Sequence, residues 1–450
     1  MTADGGDERF GLSWRGKSRA CRRALSPPDG ALVPCPDESV GWDDTRNLVI
    51  EGDNLEVLKL LGESLAGGVK LVYIDPPYNT GKGFTFRDDY RGQGHAALDG
   101  SETSAGDRLH AGWLDMMCPR LALARTLLRD DGAIFVSIDD TEVANLTVLL
   151  SELFGPDNLV GTFIWEKRRS RENRRAFSVN HEYIVCAAKD RPAFEATRGL
   201  LPLTDEARSR YANPDSDPRG DWQSVAVTAQ AGHGTAAQFY AITTPGGRRV
   251  DPPSGNCWRF TRERLEELIA DRRIWFGVDG NNVPRQKVFL SERGEGLTPH
   301  TIWTAGEVGT TDTAKRDLNA LFDGAAVFDT PKPVGLVGRV IEIGGSPDGV
   351  VLDFFAGSGP TAEAVMRANA ADGGQRRFVL VQLPEPLDPG NRDQRVAAEV
   401  CDRIGRPRTI AELTKERLRR AARRIADEDP AFAGDLGFRV FRLVSERRER

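Results

Sequence analysis

From residue 47 onward, short apolar runs alternate with stripes of apolar residues at a period of 3.6, which predicts strands and helices in turn. Leu48-Val49-Ile50 reads as a strand, and Leu55, Val57, Leu58, Leu61 and Leu65 form one face of a helix that Gly67-Gly68 stops. Val69 to Ile74 is the next strand, followed by a glycine- and charge-rich loop to about Leu109. A helix over Trp113–Leu128 comes next, and Pro119 should kink or restart it. Strand Ala133–Ile138 then leads to a helix over Thr141–Phe154, capped by Asp139 or Asp140 and closed by Gly155-Pro156. Alternation resumes with strand Gly349–Phe354, helix Pro360–Asn369 and strand Phe378–Leu383. The chain closes on a basic helix, Ala411–Ile425, and a strand, Gly437–Leu443. Such alternation predicts an α/β fold with a largely parallel sheet and right-handed crossovers.

Two stretches break the rhythm. Residues 1–46 hold Pro27, Pro28, Pro34 and Pro36 without periodicity and read as an irregular arm. Residues 166–304 contain short strand-like runs, turn clusters and Trp222, Trp258, Trp275 and Trp303, and they read as an α+β insertion with a small core of its own. The expected organisation is therefore an arm (1–46), two core halves (47–165 and 305–406) around the insertion (166–304), and a C-terminal helix and strand (407–450).

Composition narrows the class. With 61 basic and 67 acidic residues the net charge is −6, which by itself argues against a surface coated for nucleic acid. No stretch reaches the ~18 continuous apolar residues of a membrane helix, and Met1–Phe10 has the wrong chemistry for a signal peptide. A cytoplasmic protein with no membrane association is expected. The six cysteines lack any CxxC spacing and the five histidines any HExxH pairing, so reduced thiols and no metal site are expected.

Candidate chemistry lies in two motifs. Asp75-Pro76-Pro77-Tyr78 follows an apolar strand, at the edge where open α/β sheets bind ligands. Two prolines remove two N–H donors, so the loop offers a carboxylate and carbonyls, all acceptors, beside an aromatic ring. That suits the exocyclic NH2 of a planar base, although a rigid strand-ending turn would use the same residues. Asp353-Phe354-Phe355-Ala356-Gly357-Ser358-Gly359 places a Gly-x-Gly turn between a strand and a helix N-terminus, where backbone N–H groups attract carboxylate or phosphate. It lacks the third glycine of a dinucleotide fingerprint and the lysine of a phosphate loop.

Together the two motifs resemble the β group of amino-directed DNA methyltransferases, in which the DPPY loop precedes the cofactor loop and a recognition insertion separates them. The likeness is closer still to the modification subunits of type III restriction-modification systems. It is carried by Leu48 to Leu58, Asp75 to Gly81 (DPPYNTG), Trp113 to Met117, His181-Glu182-Tyr183, Arg273 to Gly277, Pro331-Lys332-Pro333 and Gly437 to Phe441. The resemblance implies a permuted Rossmann-like S-adenosylmethionine-dependent core with an inserted α+β target-recognition domain. It implies that Asp75 and the Pro76 carbonyl, with Pro77 shaping the loop, orient a flipped-out adenine amine on which Tyr78 stacks. S-adenosyl-L-methionine would be held by Asp353, Phe354, Phe355, Ala356, Gly357, Ser358, Gly359 and Thr361, with Lys332 and Pro333 beside it, Asp53 in the same cleft and Gln382 at the ribose. Pro360 replaces the family's usual Thr and costs one N–H and one hydroxyl near the cofactor.

Lys167, Arg168, Arg169, Arg171, Arg174 and Arg175, at the start of the insertion, would contact phosphates of double-stranded DNA. The basic run of the C-terminal helix either serves likewise or is the outer face of a packed helix. His110 and Trp113 read as packing residues. The resemblance also implies a homodimer and a separate ATP-dependent helicase-nuclease subunit as partners. Transfer to cytosine N4 on the same scaffold, or a DNA-reading subunit that recruits a nuclease, are the competing assignments. Cytosine C5 chemistry needs a cysteine nucleophile, and the only Pro-Cys pair, Pro34-Cys35, lies in the arm.

Overall fold

A computed structural model of the chain describes residues 11–81, 88–90, 107–173, 176–292 and 296–445. Its centre is a ten-stranded sheet whose strands are β1 (Ala31–Pro34), β2 (Leu48–Glu51), β3 (Val69–Ile74), β4 (Leu128–Ile138), β5 (Leu159–Glu166), β6 (His181–Ala188), β7 (Ile302–Trp303), β8 (Val350–Asp353), β9 (Arg377–Gln382) and β10 (Arg439–Val444). The spatial order is β1-β10-β2-β9-β8-β3-β4-β6-β5-β7. The run from β10 to β4 is parallel throughout, while β6 lies antiparallel between β4 and β5. All six residues of β3 are buried, as helices on both faces of a parallel sheet require. The two halves that the sequence separates meet here: β8, from the second half, pairs directly with β3, from the first.

The flanking helices are α1 (Asn54–Leu65), α2 (Gly112–Leu127), α3 (Val143–Phe154), α4 (Val334–Gly344), α5 (Pro360–Asp372) and α6 (Ile410–Glu428). Helix α2 continues through the buried Pro119 without interruption. The N-cap of α3 is Glu142, with no side-chain cap, and the expected cap Asp139 instead accepts from the backbone N–H of Thr141 at 2.9 Å.

A second compact unit spans Leu200–Pro299. Its core gathers Val227, Trp258, Leu265 and Ile274, and Trp222 packs on Trp275 with ring centres 5.4 Å apart. An antiparallel bridge between Leu201 and Leu297 brings its two ends together. The unit is shorter than the expected insertion. The run beginning at His181 belongs to the main sheet as β6, and Trp303 is buried on β7 and stacks on Phe163 at 4.7 Å. Sequence rhythm missed this because an antiparallel pair on a parallel sheet needs no intervening helix.

The arm is also more ordered than expected. Lys17–Arg23 is helical, and β1 adds an edge strand antiparallel to β10. Edge strands tolerate exposure and proline, so β1 shows no alternation and Pro34 sits at its end. Cys21 and Cys118 are joined as a disulfide (Cα–Cα 5.9 Å), where six separate thiols were expected. A separation of 97 residues leaves no spacing signature. No helix among the described residues is long and apolar enough to cross a membrane.

Candidate active site

Strands β3 and β8 are neighbours, so their carboxyl ends bring Asp75 and Asp353 to one edge of the sheet, the switch point where α/β sheets hold ligands. Because Pro76 and Pro77 have no N–H, the first donors of the loop are those of Tyr78, Asn79 and Thr80. The buried Asp88 carboxylate takes all three, at 2.6, 3.1 and 2.9 Å. Trp113 Nε1 donates to the Pro77 carbonyl at 2.7 Å, and Asn79 Nδ2 to the buried Glu142 at 2.7 Å, which His110 Nδ1 also reaches at 2.9 Å. Trp113 and His110 therefore both pack and brace the loop. The Pro76 carbonyl accepts no hydrogen bond among the described residues, and Pro76 lines the smaller cavity with Asp75.

Two cavities meet at Asp75. The larger, about 450 Å³, runs under the glycine turn between Asp53, Phe355, Gly357 and Gln382. The smaller, about 320 Å³, is lined by Pro76, Tyr78, Lys167 and Glu182. Asp75 and Lys332 stand on the wall common to both. Tyr78 Oη donates to Asp75 Oδ1 at 2.9 Å and Glu182 Oε2 at 3.1 Å, while Lys332 Nζ donates to Asp75 Oδ2 at 2.8 Å. Lys167 Nζ holds the other oxygen of Glu182 at 3.0 Å. Burial raises the Asp75 pKa, with Lys332 countering it. Burial likewise keeps the Tyr78 phenol protonated, as a donor, far above its ordinary range, and the two carboxylates add to that. For Lys332, burial opposes the charge, but Asp75 and Glu182 outweigh it and raise the pKa of the ammonium.

The glycine turn is held from inside. Asp353 accepts from Phe355 N at 3.0 Å and Thr361 Oγ1 at 2.6 Å, and burial lifts its pKa to about 7. Gly357 and Gly359 take φ of +53° and +83°, and a Cβ on Gly359 would stand 2.7 Å from Leu418 Cδ1, which is why glycine is needed there. Pro360 opens α5.

Several predicted cofactor residues have other partners. Gln382 Oε1 accepts from Gly357 N at 2.7 Å and its Nε2 donates to the Leu383 carbonyl, so the side chain braces the turn. Asp53 caps α1 by accepting from Leu55 N and still lines the larger cavity. Pro333 is the N-cap residue of α4 and does not line the cavity, and the Lys332 ammonium points to Asp75. Phe354, Ala356 and Ser358 line the larger cavity, and Ser358 Oγ also accepts from Arg417 Nη1 at 2.8 Å.

Of the basic stretch, Lys167 is spent on Glu182, Arg168 lines the smaller cavity, Arg169 and Arg171 are exposed, and Arg174 and Arg175 lie outside the described residues. Sequence reasoning gave no role to Glu182, Asp88 or Arg120. Only Glu182 carried a signal, inside His181-Glu182-Tyr183. Arg120 donates from Nη2 to Asp53 at 3.3 Å on the cavity wall.

A family model described as DNA methylase, of the N6/N4 type, matches residues 69–374, more than half of the chain. The Mod subunit of the type III restriction-modification enzyme StyLTI from Salmonella typhimurium is 34% identical over 97% of this chain and 66% of its own. The EcoP15I Mod subunit from Escherichia coli is 30% identical over 98% of this chain and 72% of its own. The chain thus spans about two thirds of the length of these relatives. Among solved structures, the cytosine-N4-specific PvuII DNA methyltransferase covers 80% of the chain at 12% identity with a TM-score of 0.39. Two motif loops meeting at one sheet edge, the matching family model and 30–34% identity to Mod subunits over nearly all of this chain agree: the chain belongs to the N6/N4 DNA methylase family and is akin to its type III modification subunits.

Proposed function

We propose that the protein is a site-specific DNA methyltransferase that uses S-adenosyl-L-methionine to methylate adenine N6, as the modification subunit of a type III-like restriction-modification system. The observation that carries this reading is the pair of cavities sharing Asp75: one can seat a cofactor, the other a planar base, with an acceptor between them. The larger cavity has a volume within the usual range for small-molecule sites and offers Phe355, the N-terminal end of α5 and carboxylates suited to a sulfonium. S-adenosyl-L-methionine, held there, supplies an electrophilic methyl group.

The protein's own residues then do the positioning. A base inside a duplex cannot reach Asp75, so it is flipped into the smaller cavity against Tyr78. Asp75 and the Pro76 carbonyl accept the two amine hydrogens. This favours the pyramidal, nucleophilic nitrogen and stabilises its positive charge as the new C–N bond forms and the methyl–sulfur bond breaks, after which the surplus proton of the nitrogen passes to Asp75 or to water. No cysteine lines either cavity, consistent with direct transfer to an exocyclic amine. Asp53 and Arg120 border the cofactor site, and Arg168, Arg169 and Arg171 are the candidates for phosphate contact. A homodimer and an ATP-dependent helicase-nuclease subunit are the partners we expect, and the cytoplasm is the compartment we expect.

The decisive experiment compares DNA from cells expressing wild type or Asp75→Ala, by nucleoside mass spectrometry and modified-base sequencing. Wild type should place N6-methyladenine in one sequence motif, and Asp75→Ala should lower the rate by about 10²–10³-fold, the usual loss for one preorganised polar contact. N4-methylcytosine would instead select the other amine. Site-specific binding without any methylated base would leave only a DNA-reading subunit.

A further inference from the structure

The Lys332 ammonium lies where the proposed reaction needs an amine. Its Nζ is 2.8 Å from Asp75 Oδ2, 3.7 Å from Glu182 Oε2, 5.0 Å from the centre of the Tyr78 ring and 6.0 Å from that of Trp165. Only 7% of the side chain is exposed. Two carboxylates and two ring systems form a cage suited to any nitrogen that carries or develops positive charge. A flipped base stacking on Tyr78 and donating to Asp75 would claim the same space and the same oxygen.

We infer that Lys332 is a placeholder for the target amine: in the DNA-free protein its ammonium fills the acceptor site of Asp75, and on base insertion it shifts to Glu182. The inference rests on the function proposed above and assigns Lys332 and Glu182 as positioning residues within it.

Three features support the exchange. Glu182 is a ready second partner, because Lys167 and the Tyr78 hydroxyl fix its carboxylate while its Oε2 already lies near the ammonium. The move replaces one charge-assisted hydrogen bond by another, so no buried charge is left uncovered at any stage. The Lys332 backbone is held between Pro331 and the N-cap residue Pro333, and the short distance from Nζ to Glu182 Oε2 lets a small rotation of the four-carbon stem redirect the ammonium. The exchange also serves the chemistry: an ammonium left on Asp75 would repel the positive charge that develops on the target nitrogen. Two claims on one oxygen make the base compete with Lys332, so the placeholder tightens selection for a base that can donate two hydrogens.

The test uses the full chain and duplexes in which 2-aminopurine neighbours the target adenine of the mapped site, so that its fluorescence rises when that adenine leaves the stack. Steady-state methylation of the unmodified duplex is measured in parallel. Removing the competitor in Lys332→Ala should raise the flipped fraction and lower KM for DNA by about threefold or more, as expected when a competing state is removed. Lys332→Met, which keeps the stem and drops the charge, should change both in the same direction. Glu182→Gln removes the second partner and should lower the flipped fraction and raise KM. A purely structural lysine predicts losses in all three variants, and that pattern, or no change in flipping, overturns the inference. If wild type itself neither flips nor methylates, the proposed function fails and the placeholder with it. If wild type is active and the variants move the wrong way, only the placeholder fails.

Discussion

Asp353 lines the larger cavity and also holds the glycine turn from within. Both its oxygens are engaged within the protein, by Phe355 N and Thr361 Oγ1, and it is 1% exposed. Burial holds its pKa at about 7, above the ~3.9 of an unfolded aspartate. The folded state therefore keeps a proton that the unfolded state has released between these values. The stability this residue contributes is intact below about pH 4 and falls as pH rises to about 7, by up to about 4 kcal/mol at 1.36 kcal/mol per pH unit. Asp353→Asn keeps an acceptor for Phe355 N and a polar partner for Thr361 but does not titrate. Its Tm should fall less than that of wild type between pH 5 and pH 8. Parallel Tm profiles would show that the Asp353 carboxyl does not titrate in this window.

At the scale of elements, α6 decides the shape of the cofactor loop. Its basic run suggested either a DNA face or a packed helix, and the packed helix is what forms. Arg417 is buried and bonds Ser358 Oγ and Glu363, while Lys415 is enclosed by Glu38, Glu51 and Glu412. Buried charges persist only when paired in this way. Thr414 Oγ1 donates to the Gly357 carbonyl at 2.6 Å, fixing the turn from the C-terminal end of the chain. Thr414→Val loses that bond at nearly constant volume, worth about 1 kcal/mol. Calorimetric titration with S-adenosyl-L-methionine should show about fivefold weaker binding, with the far-UV spectrum unchanged. Unaltered affinity would separate α6 from cofactor binding.

For the whole molecule, the second unit is compact and has a core of its own. Gly199 N is anchored to the Ile343 carbonyl of the main unit, and Leu201 and Leu297 exchange hydrogen bonds of 2.9 and 2.7 Å at the unit's neck. Residues 200–299 carry their own core, and every described side chain in the two cavities comes from the main unit. Replacing 200–299 by a short Gly/Ser linker should preserve cooperative unfolding and cofactor binding, while sequence-specific methylation is lost. Retained site specificity would move target recognition to the main unit. The net charge of −6 is too coarse a scale for judging DNA binding, because it counts charges paired inside the protein, such as Lys415 with Glu38, Glu51 and Glu412, together with those on the surface.

The sequence by itself determined the alternating elements of the core and the two motifs that carry its chemistry. Periodicity marked β2, β3 and the helices beside them, and two motifs named Asp75 and the glycine turn, because backbone conformation and acceptor-only loops are local properties of residue type. The tertiary structure decided what meets what. It brought Lys332 across 257 residues onto Asp75, set Glu182 behind both, and turned Gln382 and Arg417 into braces for the cofactor turn. It also joined Cys21 to Cys118 and moved Trp303 into the main sheet. Such pairings leave no mark on local periodicity, because burial and electrostatic partnership arise only when distant segments pack and exclude water.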